Sequence, residues 1–131
     1  MIYGIGTDLL LIARVERLWQ KYGEHFADKI LMPAERAQFA LARRPGNFLA
    51  KCFAAKEAFV KALGTGFHGV GYRDAGVVHL PSGKPTLAFS PAMQTRLDGL
   101  GIDAAQISLT DEAGQVLAFV VLESNNRQSS P

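Results

Sequence analysis

"FLAKCFAAKEAFVKALGTG", residues 48–66, places charged side chains in a segment that is otherwise apolar or small. We predict a helix over residues 48–63, with Asn47 as a suitable N-cap and Gly64 as the glycine expected just beyond the C-terminus. A helix that is apolar on nearly every side is buried in a core or an interface. A charge in such a helix needs a partner or a ligand, because its desolvation is costly. The charged residues of the segment are Lys51, Lys56, Glu57 and Lys61.

Helical periodicity dominates the first half of the chain, and strand patterns dominate the second half. This distribution predicts an α+β fold in which helices pack on an antiparallel sheet. We predict one domain over residues 1–123 and a flexible tail over residues 124–131, which lack apolar side chains. The other expected elements are a strand over 1–6, helices over 12–22 and 33–42, strands over 75–81 and 84–90, a short helix from Pro91, and a hairpin with its turn in Asp111–Gly114.

The composition places the chain among soluble globular proteins. Its 131 residues are 48% hydrophobic and 20% charged, which is ordinary for one domain. The single cysteine, Cys52, excludes an internal disulfide framework and a cysteine-cluster metal site, and it favours a reducing, cytoplasmic setting. The N-terminus has neither a basic signal-peptide region nor the roughly 20 apolar residues of a membrane span, so we expect no membrane insertion. A net charge of +2 gives no reason to expect nucleic-acid binding.

Glu57 and Lys61 stand four residues apart on the predicted helix and therefore share one face. The simplest interpretation is a salt bridge on a narrow exposed strip. The alternative is a strip that faces a ligand or another chain, because the neighbouring alanines allow close approach. Gly64-Thr65-Gly66, one turn beyond Lys61, also has two interpretations. It is either a plain helix C-cap or a loop whose backbone N–H groups point at a phosphate.

Asp8 follows the glycine-containing first strand and has apolar residues on its C-terminal side, so its carboxylate needs a partner. Two roles are open for it. It is either the N-cap of the next helix or, together with Glu57, a ligand of a hard cation. Two carboxylates and substrate phosphates form a usual Mg²⁺ site.

Basic residues are concentrated in the first half of the chain. Residues 1–63 hold ten Lys and Arg and six Asp and Glu, a net charge of +4, whereas residues 64–131 have a net charge of −2. Arg14, Arg17 and Lys21 recur at spacings of three and four and form one stripe opposite the apolar face of their helix. This basic stripe is either a solvated helix face or a docking surface for an acidic partner.

Two separated motifs resemble one family. "GIGTDLLLIARVERL" at residues 4–18 and the segment 48–66 have the order and spacing of the bacterial holo-[acyl-carrier-protein] synthases. These are the small members of the 4′-phosphopantetheinyl transferase superfamily. The resemblance covers about residues 1–124 and includes "GKP" at 83–85 and "VVLES" at 120–124.

The resemblance implies an enzyme that moves the phosphopantetheine arm of coenzyme A onto a serine of apo-acyl carrier protein. Such enzymes release adenosine 3′,5′-bisphosphate, use Mg²⁺ and activate the carrier for fatty acid biosynthesis. They are α+β homotrimers with an active site at each protomer boundary. The nearly all-apolar helix 48–63 and "VLAFVVLE" at 116–123 also offer more apolar surface than a small monomer easily covers. The number three comes from the resemblance alone.

The resemblance also assigns roles to residues. Asp8 and Glu57 match the metal-binding acids, and Lys61 matches the lysine beside the pyrophosphate, so these three are the catalytic candidates. On this interpretation the helix is charged because its charged strip faces a pyrophosphate and a cation. The coenzyme A contacts are Lys61 and Gly64-Thr65-Gly66. Arg14 matches the arginine that meets the acidic carrier protein, and Arg17 and Lys21 extend that surface.

Two positions depart from the family pattern. Cys52 stands where many relatives have arginine, and we expect the neighbouring Lys51 to replace that coenzyme A contact. Asp111 stands where others have histidine, and an acid there would repel a nucleotide phosphate. His25, His68 and His79 have no ligand-like spacing and are expected to be structural or exposed.

Two other functions remain alternatives. A Mg²⁺-dependent phosphohydrolase acting on a nucleotide diphosphate would use the same acids and lysine. A non-catalytic carrier-binding module would keep Arg14 but would not need Asp8, Glu57 or Lys61, so their presence favours the transferase. The catalytic base is open among Glu57, Asp8 acting through a metal-bound water, and bulk water.

Overall fold

The computed structural model describes residues 1–125. Its elements in chain order are β1 (Ile2–Leu11), α1 (Ile12–Tyr22), α2 (Glu24–Ile30), α3 (Pro33–Phe39), α4 (Pro45–Leu63), β2 (Ala75–His79), β3 (Pro85–Phe89), α5 (Pro91–Gly99), β4 (Ile102–Glu112) and β5 (Gln115–Ser124). An antiparallel sheet has the order β1-β5-β4, and β2 and β3 form a separate antiparallel pair. The α+β class predicted from the sequence is confirmed.

The three-stranded sheet has one buried and one partly exposed face. Along β5, Val116, Ala118, Val120 and Leu122 are all 0% exposed. The residues between them point to the opposite face, because side chains alternate along a strand. On that opposite face Leu117 is 38% and Phe119 is 39% exposed. The alternation explains how one strand contributes both to the core and to an open apolar surface.

Helix α4 packs directly on β1 through two glycines. A Cβ atom at Gly4 would clash with the carbonyl oxygen of Ala62, and one at Gly6 would clash with that of Ala58. The absence of side chains there lets the helix and strand backbones approach closely. This approach brings the residues after Gly6 beside the last turns of α4.

Strand β1 is longer than predicted. The expected strand over 1–6 continues to Leu11, which pairs with Gln115 of β5. Asp8 does not end the strand, because it pairs with Ala118 and remains inside the antiparallel ladder. The extension depends on β5, which is distant in sequence and gives no local signal.

Two helix boundaries also differ from prediction. Helix α4 begins at Pro45, a residue suited to the first helical position, and Arg44 is its N-cap without a side-chain hydrogen bond. The prediction that Asn47 is the N-cap is therefore wrong, and Asn47 is instead a buried residue of the first turn. Helix α3 ends at Phe39 rather than at residue 42, and the Leu41 N–H bonds only three residues back, to Gln38.

The turn between β4 and β5 lies within the predicted residues, Asp111–Gly114. Glu112 pairs with Gln115, which leaves Ala113 and Gly114 as a two-residue turn with φ angles of 54° and 77°. Ser124, expected to begin the tail, is instead the buried last residue of β5. Residues 126–131 of the expected tail lie outside the described residues. Over residues 1–125, no helix is long and apolar enough to cross a membrane.

Candidate active site

The structure brings Asp8, Glu57 and Lys61 together where β1 lies against α4. Lys61 Nζ donates a 3.0 Å hydrogen bond to the carbonyl oxygen of Thr7 and lies 3.5 Å from Asp8 Oδ1. The glycine contacts between β1 and α4 produce this approach. The lysine side chain is 55% exposed and the aspartate side chain 16%, so the ammonium group is accessible from solvent. A positive charge thus stands beside a mostly buried carboxylate.

Two sequence-based alternatives are wrong. Asp8 is not the N-cap of α1, because Leu11 occupies that position and no side chain caps the helix. Glu57 and Lys61 do not form the expected salt bridge within α4, because the ion pair of Lys61 in the described chain is with Asp8.

The two carboxylates at this site are both harder to ionise than usual. Burial raises the pKa of Asp8, although the charges of Lys61 and Arg14 partly oppose that effect. Burial also raises the pKa of Glu57, and the negative charge of Asp8 raises it further. Two acids that repel each other in partly desolvated surroundings would be stabilised by a cation between them.

This donor set fits Mg²⁺. The ion prefers carboxylate oxygens, and it usually takes one or two of them together with water and substrate phosphates. In residues 1–125 no group of three or more His, Cys, Asp or Glu side chains is arranged to hold a metal. Asp8 and Glu57 therefore match a Mg²⁺ site in which the protein supplies two ligands and the substrate and water supply the others.

The basic stripe of α1 faces the same space as the acids. A cleft of about 460 Å³ lies between β1, α1 and α4. One wall carries the acids and the other carries the basic stripe, so the structure brings Glu57 to a stripe that lies about 40 residues earlier in the sequence. The lining residues are Asp8, Leu9, Leu10, Arg14, Val15, Arg17, Leu18, Lys21, Phe53 and Glu57.

Gly64-Thr65-Gly66 ends α4 as a C-cap. Gly64 adopts a left-handed conformation with φ of 88°. The N–H groups of all three residues donate to the carbonyl oxygen of Val60, at 3.0, 3.3 and 3.3 Å. The Thr65 hydroxyl donates to the Gly66 carbonyl oxygen at 2.8 Å. Because these backbone donors already have an acceptor, a phosphate at this loop would have to share or displace Val60; the assignment stays a prediction.

Lys51 lies outside the cleft that holds the two acids. Its Nζ is 3.5 Å from Asp111 Oδ2, beside His79 in a separate pocket of about 240 Å³. Burial and the charge of Lys51 lower the pKa of His79. Cys52 is 1% exposed and points into the core. The structure therefore does not bring Lys51 to the cleft that holds Asp8 and Glu57, and its coenzyme A role stays a prediction.

One helix charge was interpreted wrongly, and one aromatic group was missed. Lys56 is not part of an exposed charged strip, because its side chain is 1% exposed and paired with Glu35. Phe53 lines the cleft and stacks on Tyr72, with 5.6 Å between ring centroids. Burial and the charge of Glu57 raise the pKa of Tyr72. The spacing of four residues from Phe53 to Glu57 was the available signal that the two share one helix face.

Comparison with known proteins gives one consistent family. Residues 4–120 match the model of the 4′-phosphopantetheinyl transferase superfamily. The chain is 50% identical over 129 residues to a holo-[acyl-carrier-protein] synthase of Thiobacillus denitrificans, with 98% of each chain covered. It is 48% identical over 124 residues to such a synthase of Neisseria meningitidis serogroup A, covering 94% of this chain and 99% of the relative.

Solved structures have the same fold. A crystal structure of a holo-[acyl-carrier-protein] synthase from Neisseria meningitidis has a TM-score of 0.90 at 49% identity and covers 95% of this chain and 100% of its own. A Helicobacter pylori synthase in complex with coenzyme A has a TM-score of 0.79 at 28% identity, covering 91% and 99%. A Bacillus anthracis synthase in complex with CoA (3′,5′-ADP) has a TM-score of 0.78 at 33% identity, covering 95% and 99%.

Proposed function

The chain belongs to the 4′-phosphopantetheinyl transferase superfamily, and we propose that it is a holo-[acyl-carrier-protein] synthase. It moves the 4′-phosphopantetheine arm of coenzyme A to a serine of apo-acyl carrier protein and thereby activates the carrier for fatty acid biosynthesis. The observation that carries this proposal is the single cleft in which Asp8 and Glu57 face Arg14. Coenzyme A contains a pyrophosphate, whose charge Lys61 and a cation held by the two acids would neutralise. The acidic carrier has the charge that complements the basic stripe.

The reaction is a substitution at phosphorus. The serine oxygen forms a bond to the phosphorus that carries pantetheine, and the pyrophosphate P–O bond breaks. Adenosine 3′,5′-bisphosphate leaves with the electron pair, and the proton of the serine hydroxyl passes to Glu57 or to water. Lys61 Nζ, which is accessible from solvent beside Asp8, stabilises the negative charge that grows on the pyrophosphate oxygens.

Mg²⁺ is the proposed cofactor, with Asp8 and Glu57 as its protein ligands. Bound there, the ion would neutralise phosphate charge and orient the substrate oxygens. Burial raises the pKa of both acids, and the charge of Asp8 raises that of Glu57 further, so a cation held between them would favour their charged forms. Further coenzyme A contacts are proposed for Gly64-Thr65-Gly66 and for Lys51.

A homotrimer is the proposed assembly, with each active site at a protomer boundary. The open face of the three-stranded sheet supports it, because that face carries a group of exposed apolar side chains, with Thr7, Ser108 and Thr110 among them, that water would otherwise cover. Its exposed members include Ile5 at 59%, Leu9 at 60%, Leu117 at 38% and Phe119 at 39%. Leu9 belongs both to this surface and to the cleft lining, which supports a site bordered by the neighbouring protomer. The proposed location is the cytoplasm.

The decisive experiment mixes the protein with coenzyme A, Mg²⁺ and an apo-acyl carrier protein and measures the intact mass of the carrier. Transfer adds one phosphopantetheine to the carrier and releases adenosine 3′,5′-bisphosphate in equal amount. Release of inorganic phosphate or a simple phosphate ester without any mass change on the carrier would support the phosphohydrolase instead. Carrier binding without either reaction would support the binding module.

A further inference from the structure

Lys56 and Glu35 form an ion pair in the interior of the protein. Their side chains are 1% and 0% exposed. Lys56 Nζ donates hydrogen bonds to Glu35 Oε1 and to the carbonyl oxygen of Ala75, both at 2.6 Å. Neither side chain lines the cleft, so the proposed reaction does not use them directly.

Glu35 also accepts hydrogen bonds from two backbone N–H groups outside the pair. Its Oε1 also accepts the Met32 N–H at 3.0 Å, and its Oε2 accepts the Val77 N–H at 2.9 Å. Gly76 leaves the necessary room, because a Cβ atom there would lie 2.6 Å from Glu35 Cδ and 2.5 Å from Met32 Sδ. Through these bonds α4 is attached to the start of α3 and to β2.

Stability alone is a weak reason for such a pair. The desolvation of two buried charges generally offsets most of their attraction, and well-packed apolar residues often stabilise a core equally well. A fully hydrogen-bonded charge pair differs from an apolar pair in its directionality, because it fixes the angle and distance of the groups it joins. The pair therefore specifies how α4 is oriented.

The orientation of α4 determines the geometry of the active site. Lys56 immediately precedes Glu57, and successive helical residues point about 100° apart. On its other side α4 is pressed against Gly4 and Gly6 of β1, the strand that carries Asp8. The helix is thus fixed from both sides. A displacement of about 1 Å in a reacting group costs on the order of 100-fold in rate.

We propose that the Lys56–Glu35 pair is a positioning device that sets the rotation of α4 about its axis and so places Glu57 and Lys61 relative to Asp8. This inference rests on the proposed function. Lys56 is a positioning residue and not a catalytic one, because it has no access to the substrate. Its loss should therefore affect catalysis beyond its effect on folding.

The test compares Lys56→Met with Phe59→Leu. The first variant removes the ammonium group and keeps most of the side-chain volume. The second is a control on the same helix, since Phe59 is 0% exposed, packs on Phe89 and takes no part in the hydrogen bonds of the pair. Thermal unfolding is followed by circular dichroism, and kinetics are measured at a temperature at which every variant is folded.

We expect Lys56→Met to lower kcat by about tenfold or more, with the KM for carrier protein changed by less than about twofold. Its affinity for Mn²⁺, titrated without substrate, should also fall, because Glu57 is displaced from Asp8. Phe59→Leu should lose thermal stability and keep both kcat and Mn²⁺ affinity. Lys56→Gln, which keeps a hydrogen-bond donor, should recover part of the loss.

The proposal is overturned if folded Lys56→Met keeps wild-type kcat and Mn²⁺ affinity, or if Phe59→Leu loses as much. Failure of both Lys56 variants to fold would assign the pair to folding alone and would also overturn it. A wild-type protein that transfers nothing to the carrier would reject the proposed function instead. In that case the Mn²⁺ titration still decides whether Lys56 positions Glu57 relative to Asp8.

Discussion

Lys61 of α4 is bonded to β1 at two points: its Nζ lies 3.0 Å from the Thr7 carbonyl oxygen and 3.5 Å from Asp8 Oδ1. The ammonium group is therefore held by the strand that bears a proposed metal ligand. Its hydrogen bond to a backbone atom fixes its position without neutralising its charge. Lys61 thus keeps a directed positive charge beside Asp8, which is what stabilisation of a transition state at phosphorus requires.

Lys61→Met should lower kcat on the order of 100-fold or more, the scale of a lost oxyanion donor. The substitution keeps stem volume, and the side chain is largely exposed, so the fold should survive. Steady-state kinetics with coenzyme A and apo-carrier protein measure the effect, and Lys61→Arg is the charge-retaining control. A change confined to KM would make Lys61 a ground-state binder rather than a transition-state stabiliser.

Asp8→Asn and Glu57→Gln should each remove most transferase activity and weaken divalent metal binding. Each amide is nearly isosteric with the acid but lacks the charge that a hard cation requires. Mn²⁺ titration in the absence of substrate separates the two effects. Asp103→Asn is the matched control, because Asp103 is exposed and is not a lining residue of the cleft. Normal metal affinity and activity in either site variant would remove that residue from the metal site.

Arg14→Ala should raise the KM for carrier protein and leave coenzyme A binding unchanged. Docking between a basic stripe and an acidic carrier chiefly sets the association rate and the register. Salt should weaken the wild type more than the variant, because exposed charges are screened over about 10 Å at 0.1 M ionic strength. Arg43→Ala is the control, since Arg43 is exposed and lies outside the cleft lining. Smaller effects in the same direction are expected for Arg17 and Lys21.

If Arg14→Ala and Arg43→Ala have the same KM and the same salt dependence, the basic stripe is only a solvated helix face. The carrier would then dock on another surface.

Phe119→Glu should dissociate the proposed trimer. The side chain is on the open apolar face of the sheet, and a carboxylate buried there in an interface would have no partner. Sedimentation velocity should show a trimer for the wild type and a smaller species for the variant. Leu41→Glu adds the same charge at a residue that is 84% exposed and should leave the trimer intact. An active wild-type monomer at assay concentration would reject the assembly.

Stability should depend on the protonation of His79. Burial, followed by the charge of Lys51, lowers the pKa of its imidazole in the folded protein. The unfolded chain therefore binds a proton more readily, and the stability contribution is complete above the unfolded pKa of about 6.5. It is lost as the pH falls toward the folded pKa.

Chemical denaturation at pH 7.5 and 5.5 should show a larger loss of unfolding free energy for the wild type than for His79→Gln. Because the carboxylates are common to both proteins, their titration cancels in this comparison. Equal losses would mean that His79 titrates as it does in the unfolded chain.

The residues of the site were predictable where the signal was local. Glu57 and Lys61 share a helix face by spacing, and the two motifs together identified Asp8 as their companion. The partner of Lys56 was not predictable, because Glu35 is on another helix and no periodicity connects them. The full length of β1 was missed for the same reason: its partner β5 lies about 110 residues later. The local sequence pattern identifies helices and strands. Contacts between residues distant in sequence decide where a strand ends and which charged side chains form ion pairs.

The pairing of β1 with β5 joins the first strand to the last, and this has a consequence for synthesis of the chain. Asp8 is synthesised about 110 residues before its strand partner, Ala118. At about 5–20 residues per second, the unpaired strand waits several seconds or longer for its ladder to form. Once α4 has been made, Gly4 and Gly6 have that helix to pack against while β5 is still missing. A chain stopped before β5 would therefore hold every proposed catalytic side chain and still lack the strand that pairs with the strand of Asp8.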